Sequence, residues 1–230
     1  MRVVPAQRKA TRGIGRPRLA TRFDARALLL DAAVTLFADK GVAGTSMADI
    51  AARSGVTAAM VHYYFTDREH LLDVVVEERL RSIVTSIWSP IVDSTEIAPM
   101  VAGLVQRVLR AASQNPWLPS LWMREVISEG GQLRHRLLRI VRFEHVQHLI
   151  RTAKSAQRRG EISSHLEPRL IFVSVLGLTL LPLANIRVLR QIAPLHGIKS
   201  NDIARHAQAL LMSAFSRSSL RGRTIRPKRR

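Results

Sequence analysis

The stretch from Thr45 to Phe65, T-S-M-A-D-I-A-A-R-S-G-V-T-A-A-M-V-H-Y-Y-F, leaves the backbone few choices. Gly55 follows Ser54 where the chain must turn sharply, and glycine supplies positive φ without a steric penalty. Before it, Met47, Ile50 and Ala51 repeat at i, i+3, i+4, one helical face. Ser46 or Thr45 can cap that helix, because a hydroxyl there accepts an orphan backbone N–H. After the turn, Thr57 can cap a second helix whose Val61 and Phe65 form an inward i, i+4 pair. Ala58, Ala59, Met60, His62 and Tyr63 are then left facing outward. Small, polar and aromatic groups on a short second helix suit reading of a DNA major groove. The same window also fits an ordinary αα-corner buried in a helical protein.

Charge narrows the choice of partner. The 230 residues carry a formal net charge of +19, which predicts attraction to polyanions, with nucleic acid and anionic membrane as the candidates. Residues 1–22 form an acid-free basic arm with no apolar core of the kind a signal peptide needs. It is rich in arginine like a mitochondrial transit peptide, but Pro5, Gly13, Gly15 and Pro17 spoil an amphipathic helix. Within the arm, Gly15-Arg16-Pro17-Arg18 is a compact extended unit whose Arg16 and Arg18 suit a narrow minor groove. The competing reading is a solvated tail that holds any polyanion loosely. Residues 218–230 are again acid-free and basic. The chain has no cysteine, which excludes disulfides, thiolate metal sites and a cysteine nucleophile. The run from Leu170 to Ile186 has no charge, but it is short for a membrane span and contains Ser174, Thr179, Pro182 and Asn185. A buried core helix or a dimer seam is equally apolar all round.

Helical periods continue along the rest of the chain. Asp24 is a candidate N-cap for a helix to about Lys40, with Leu29, Ala32, Ala33, Leu36 and Phe37 as its core stripe and Gly41 as its stop. Asp67 caps a long helix that ends before Pro90. Further helices are expected at about 96–113, 116–128, 132–158, 167–191 and 201–217, with a kink at Pro182. No β-type alternation interrupts them, so the fold class is all-α.

The segments A-A-V-T-L-F-A-D-K-G-V-A-G-T-S-M-A-D-I-A-A-R-S-G-V and H-Y-Y-F-T-D-R-E-H-L-L, at these offsets, resemble the TetR family of bacterial transcription regulators over about residues 24–75. The resemblance implies a helix-turn-helix domain at 23–68 and a larger helical ligand-binding and dimerisation domain at 69–217. It implies backbone phosphate contacts from Thr45, Thr57, Tyr63 and Arg68, and base contacts from Ala58, Ala59, Met60 and His62. The chain departs from the family at Ala59, where glycine is frequent, and at His62, where tyrosine is, so the operator is not borrowed from relatives. Tyr64 stands where many members have histidine, leaving packing and phosphate contact both open to it. The resemblance also implies a homodimer built on the last two long helices, with Leu170, Val173, Gly177, Leu181, Ala207 and Leu211 at the seam.

A small-molecule effector would lie among helices 96–158 and 167–191, where Trp117, Trp122, Arg124, Glu125, His145 and His148 are the candidate contacts. Each has a structural alternative. His145 continues the stripe Leu138, Val141, Leu149 and fits a core histidine, the tryptophans fit plain packing, and Arg124 with Glu125 fits an internal ion pair. Glu144, His145 and His148 have spacings that could hold a metal, but no third element supplies further ligands, so no metal is expected. No G-x-S-x-G, H-E-x-x-H, phosphate-loop or dinucleotide fingerprint occurs, and neither enzyme activity nor a cofactor is expected. The expectation is a cytoplasmic, homodimeric transcription regulator, a ligand-released repressor on a palindromic operator, without membrane attachment. The alternatives are a nonspecific nucleic-acid binder driven by its basic ends and a membrane-surface protein.

Overall fold

A computed structural model describes residues 22–88 and 95–215. The arm with Arg16 and Arg18 and the tail at 218–230 lie outside the described residues. The main helices among the described residues are α1 (Arg22–Lys40), α2 (Met47–Ser54), α3 (Ala58–Tyr64), α4 (Arg68–Val75, Val76–Leu80 and Arg81–Trp88 in continuous succession), α5 (Ile97–Gln114), α6 (Leu118–Trp122 continued by Met123–Ile127), α7 (Arg134–Ile140), α8 (Phe143–Arg158), α9 (Ile171–Ala184), α10 (Ile186–Leu189) and α11 (Ser200–Ala214). Among the described residues there is no strand.

Helix α1 starts at Arg22, so Asp24 lies inside it and is not its cap. The expected stripe of Leu29, Ala32, Ala33, Leu36 and Phe37 is buried, and so are Leu30, Val34 and Ala38. A second buried stripe is needed because α1 packs on α2 and α4 on one side and on α6 of the C-terminal body on the other.

The α2 cap is Ser46. Its Oγ accepts the Asp49 N–H at 3.1 Å, and its own N–H donates to Asp49 Oδ2 at 2.9 Å, a reciprocal box that satisfies two orphan donors. These bonds, the backbone one first, hold the Asp49 carboxyl below its ordinary pKa. Gly55 ends α2 at φ 71°, and its N–H reaches the Ala51 and Ala52 carbonyls. Thr57 caps α3 by accepting the Met60 N–H, and Asp67 caps α4 by accepting the His70 N–H at 2.8 Å.

The proposed division at residue 68 falls at the start of α4, which runs unbroken from the N-terminal unit into the body. Both α4 and α6 contain one wide turn with i→i+5 bonding: the Arg81 N–H donates to the Val76 carbonyl, and the Ser128 N–H to the Met123 carbonyl. The helix expected over 132–158 is two helices, because Val141 adopts extended backbone between them. The segment expected as one helix over 167–191 is also divided, with α9 stopping at Ala184, two residues after Pro182. No helix of the described residues is long and apolar enough to cross a membrane.

Replacing Ser46 by alanine is expected to lower stability in urea denaturation by about 0.5–2 kcal/mol. Because the Asp49 pKa is depressed in the folded chain, the box is complete above the ordinary aspartate range and lost as pH falls through the folded value. The gap between the two proteins should therefore narrow in acid.

Candidate functional site

The outer face of α3 is built from its inner one. Val61 and Phe65 are fully buried, which fixes the rotation of the helix about its axis. Thr57, Ala58, Ala59, His62 and Tyr63 are then exposed, and Met60 is half-buried. Tyr63 stands edge-on to Tyr64 with ring centroids 5.2 Å apart. Tyr64 itself is half-buried and packs against the core.

Two expected phosphate contacts do not stand on this surface. Thr45 is 2% exposed, and its hydroxyl donates to the Gly41 carbonyl at 2.8 Å, so it ties the α1–α2 loop together. Arg68 is half-buried and turns inward, its guanidinium donating to the Thr45 carbonyl at 2.8 Å and to the Val42 carbonyl. Both residues shape the loop that carries α2 and α3.

The same loop is gripped from the body. Glu125 is 4% exposed; its Oε1 accepts the Val42 N–H at 2.8 Å and its Oε2 the Gln132 N–H at 3.0 Å. It is neither a pocket residue nor the partner of Arg124, as the sequence had suggested, because its carboxylate is occupied by two backbone donors. Gly41 makes this approach possible. At φ 82° it needs no side chain, and a Cβ there would come within 3.1 Å of Glu125 Oε1 and of Arg124 Cδ.

Polar links also join α4 to its neighbours. Arg79 Nε donates to Asp31 Oδ1 at 2.8 Å and Arg26 pairs with Glu78, both tying α1 to the wide turn of α4. From α7, Arg136 Nε reaches Asp73 Oδ1 at 2.7 Å and its other end pairs with Glu69.

In the body, α4, α5, α6, α7, α8 and α9 line a partly open cavity of about 520 Å³, with exposed Ile127, Leu138, Phe143, Val173 and Leu181 on its wall. Its wall includes Trp88, Trp122, Phe143, Phe172 and Met123, with Arg134 as its one charged residue. Of the six candidate pocket residues only Trp122 lines it. Trp117 is half-buried against the core, Arg124 is exposed, and His148 lies outside the wall. His145 is buried behind Trp88, with ring centroids 6.3 Å apart, and its Nδ1 has no hydrogen-bond partner. Trp88 and Arg134 were missed. Nothing in the sequence pattern set Arg134 apart from its basic neighbours.

Leu170, just before α9, and Val173 and Leu181 on it are about half exposed and Gly177 is open, but Val173, Gly177 and Leu181 also line the cavity, so part of their exposure faces that space. On α11 the expectation fails: Ala207 and Leu211 are buried in their own subunit, and Leu210 is the leucine that faces out.

With this geometry in hand, the chain can be set beside known proteins. Residues 29–75 match the family described as bacterial regulatory proteins, tetR family. Over this N-terminal domain the chain is similar to the TetR family. A curated relative, the HTH-type transcriptional regulator BetI of Paraburkholderia xenovorans (strain LB400), is 34% identical over 67 residues, covering 29% of this chain and 34% of that protein. The chain thus aligns with about a third of the length of that TetR-family relative. Among solved structures, the ketosteroid transcriptional regulator KstR2 of Mycobacterium tuberculosis aligns over 84% of this chain and 95% of its own, with 17% identity and a TM-score of 0.63. The transcriptional regulator FadR from Bacillus subtilis, solved in complex with stearoyl-CoA, aligns over 82% and 98%, with 18% identity and a TM-score of 0.58. At these identities the structural likeness is one of fold.

Glu125→Ala leaves the Val42 and Gln132 N–H groups without their acceptor. Each orphaned buried donor costs about 1–3 kcal/mol, so a marked drop in the urea midpoint is expected. Glu125→Gln keeps one acceptor oxygen and should fall between that variant and the parent; equal stability of all three proteins would remove the clasp from the account.

Proposed function

We propose that this chain is a sequence-specific DNA-binding transcription regulator of the bacterial cytoplasm, working as a homodimer on an inverted-repeat operator and released by a small molecule. The observation that carries the reading is the outer face of α3, which exposes Ala58, Ala59, His62 and Tyr63 on a helix held by buried Val61 and Phe65. A helix so placed can enter a major groove. Alanine methyls suit a thymine methyl, and His62 offers a donor or acceptor to a base edge. Thr57 and Tyr63, exposed at either end of α3, take the phosphate contacts, and Thr45 and Arg68 act behind them by fixing the loop. Arg16 and Arg18 extend the contact toward a minor groove.

Pairing through the exposed residues Leu170, Val173, Gly177 and Leu181, the last three at the edge of the cavity, with Leu210 on α11, would present two copies of α3. Half-sites about 34–36 Å apart, one turn of the duplex, are expected if the two heads are that close. The effector occupies the cavity. Its walls are parts of α4 and α6, the same helices that hold the N-terminal unit through Arg68 and Glu125. A ligand that fits one arrangement of these helices better than the other shifts the population, and so the operator affinity.

Selection from random duplexes should return an inverted repeat. His62→Ala should change the preferred sequence, while Thr57→Ala should weaken all sites alike and leave the salt slope unchanged, because no charge is removed. Enrichment of no motif, together with loss of all binding when residues 1–20 and 219–230 are removed, would make the protein a nonspecific polyanion binder instead.

A further inference from the structure

Arg134 is the one charged residue on the cavity wall; the other lining residues are apolar side chains and Gly177. It is half-buried and stands at the rim. Ile127, whose carbonyl it touches, and Leu138, one turn further along α7, are both exposed wall residues. Trp88, Val108, Leu118 and Leu180 also line the space and are buried, so its depth is hydrocarbon. The volume, about 520 Å³, lies within the range of sites that bury a drug-sized molecule.

Three backbone carbonyls hold the guanidinium. Nε donates to the Val126 carbonyl at 2.7 Å, and Nη2 to the carbonyls of Ile127, at 3.0 Å, and Ser128. Carbonyls are neutral, so these bonds fix the cation without cancelling its charge. Among the described residues no carboxylate pairs with it, whereas Arg26, Arg79 and Arg136 each have one. Nη1 donates to none of the three carbonyls, and it is not sealed from solvent. A guanidinium already held in place need not be ordered by an incoming anion.

From this wall we infer that the effector is an amphiphilic anion, with an extended hydrocarbon body in the buried depth of the cavity and a terminal carboxylate at the rim that accepts from Arg134 Nη1. Charge-assisted bonds of this kind are the strong ones, and the body adds the apolar area it removes from water. A cation would meet the charge of Arg134 and no carboxylate on the wall. A compact anion would leave the hydrocarbon unfilled and depend on one half-exposed pair, which is weak. The inference rests on the regulator reading above, but the binding can be measured without DNA.

The test is displacement of phenylnaphthylamine, a neutral dye that fluoresces in apolar surroundings, from the full chain at neutral pH. The competitors are decanoate and decanol, below micelle formation and in salt high enough to screen the basic ends. They share a tail, so the ratio of their midpoints reports the head group. Arg134→Gln should raise the decanoate midpoint at least about fivefold, the upper end for an exposed ion pair, and leave that of decanol within about twofold. Arg134→Lys keeps the charge without the fork and should fall between. Arg139→Gln removes an exposed arginine of the same helix that is not on the wall, and should change neither midpoint. Leu138→Glu places a carboxylate one turn from Arg134 and should weaken decanoate relative to decanol, where Leu138→Gln does not. It leaves the hold of Arg134 on α6 intact, and so decides the matter if Arg134→Gln does not fold.

Failure of the dye or of decanoate to enter the parent overturns the ligand class. So does a decanoate midpoint that moves in neither Arg134→Gln nor Leu138→Glu. An equal loss in Arg139→Gln assigns the anion to the net charge of the chain and not to the rim. A duplex selection that returns an inverted repeat alongside any of these failures sinks the ligand class alone. A selection that returns none sinks the regulator reading whatever decanoate does.

Discussion

The peptide units at Val42 are held from both sides. The Val42 N–H donates to Glu125 from the body, and its carbonyl accepts from Arg68 at the start of α4. Val42 itself is fully buried, so neither bond competes with water at the side chain. Backbone groups in such a place must be paired, because an orphaned donor or acceptor loses its hydration without return. The geometry admits few substitutes. Glu125 reaches Val42 because Gly41 presents no side chain, and it stays in place because its second oxygen is pinned by the Gln132 N–H. The orientation of α2 and α3 relative to the cavity depends on this pair of bonds more than on any surface contact.

Two helices transmit that dependence. Helix α4 begins at Arg68 and ends among the cavity residues, and α6 carries Glu125 between cavity residues Met123 and Val126. Each contains a wide turn at the crossing, Val76–Leu80 in α4 and Met123–Ile127 in α6. An extra residue in a turn rotates the later part of a helix relative to the earlier part. It lets Glu78 and Arg79 face α1 while Leu80 faces the cavity, and lets Glu125 face the loop while Val126 faces the cavity. Such turns recur at functional sites.

The N-terminal unit was legible in the sequence because its determinants are local. The cap at Ser46, the turn at Gly55 and the cap at Thr57 are read within a few residues, and Val61 with Phe65 is a pair one helical turn apart. The errors have a common physical origin. Whether Thr45 or Arg68 meets solvent is decided by α4 and the loop beside them, not by their own neighbours in sequence. Helix α9 is apolar nearly all round, so its inward face is chosen by the surrounding helices. On α11, Ala207 with Leu211 and Leu210 are equally plausible stripes, and only the packing against α5 and α9 selects the first as buried. The break at Val141 and Arg142 carries no glycine or proline, and Glu125 looked like half of an ion pair because its true partners are backbone donors, one of them 83 positions away.

Relative magnitudes decide which joint can carry regulation. The ion pairs of Arg136 with Asp73 and Glu69, and of Arg79 with Asp31, have carboxylates more than half exposed. Pairs of this kind are worth about 0–1 kcal/mol and fade as salt screens them. The Glu125 clasp is buried and holds two donors, each about 1–3 kcal/mol to abandon. Salt that strips phosphate contacts from a DNA-facing surface would also loosen the peripheral pairs, yet leave the clasp intact. Glu125 on α6 therefore joins the cavity wall to the α1–α2 loop by buried bonds that salt screens little, while the exposed pairs around it weaken.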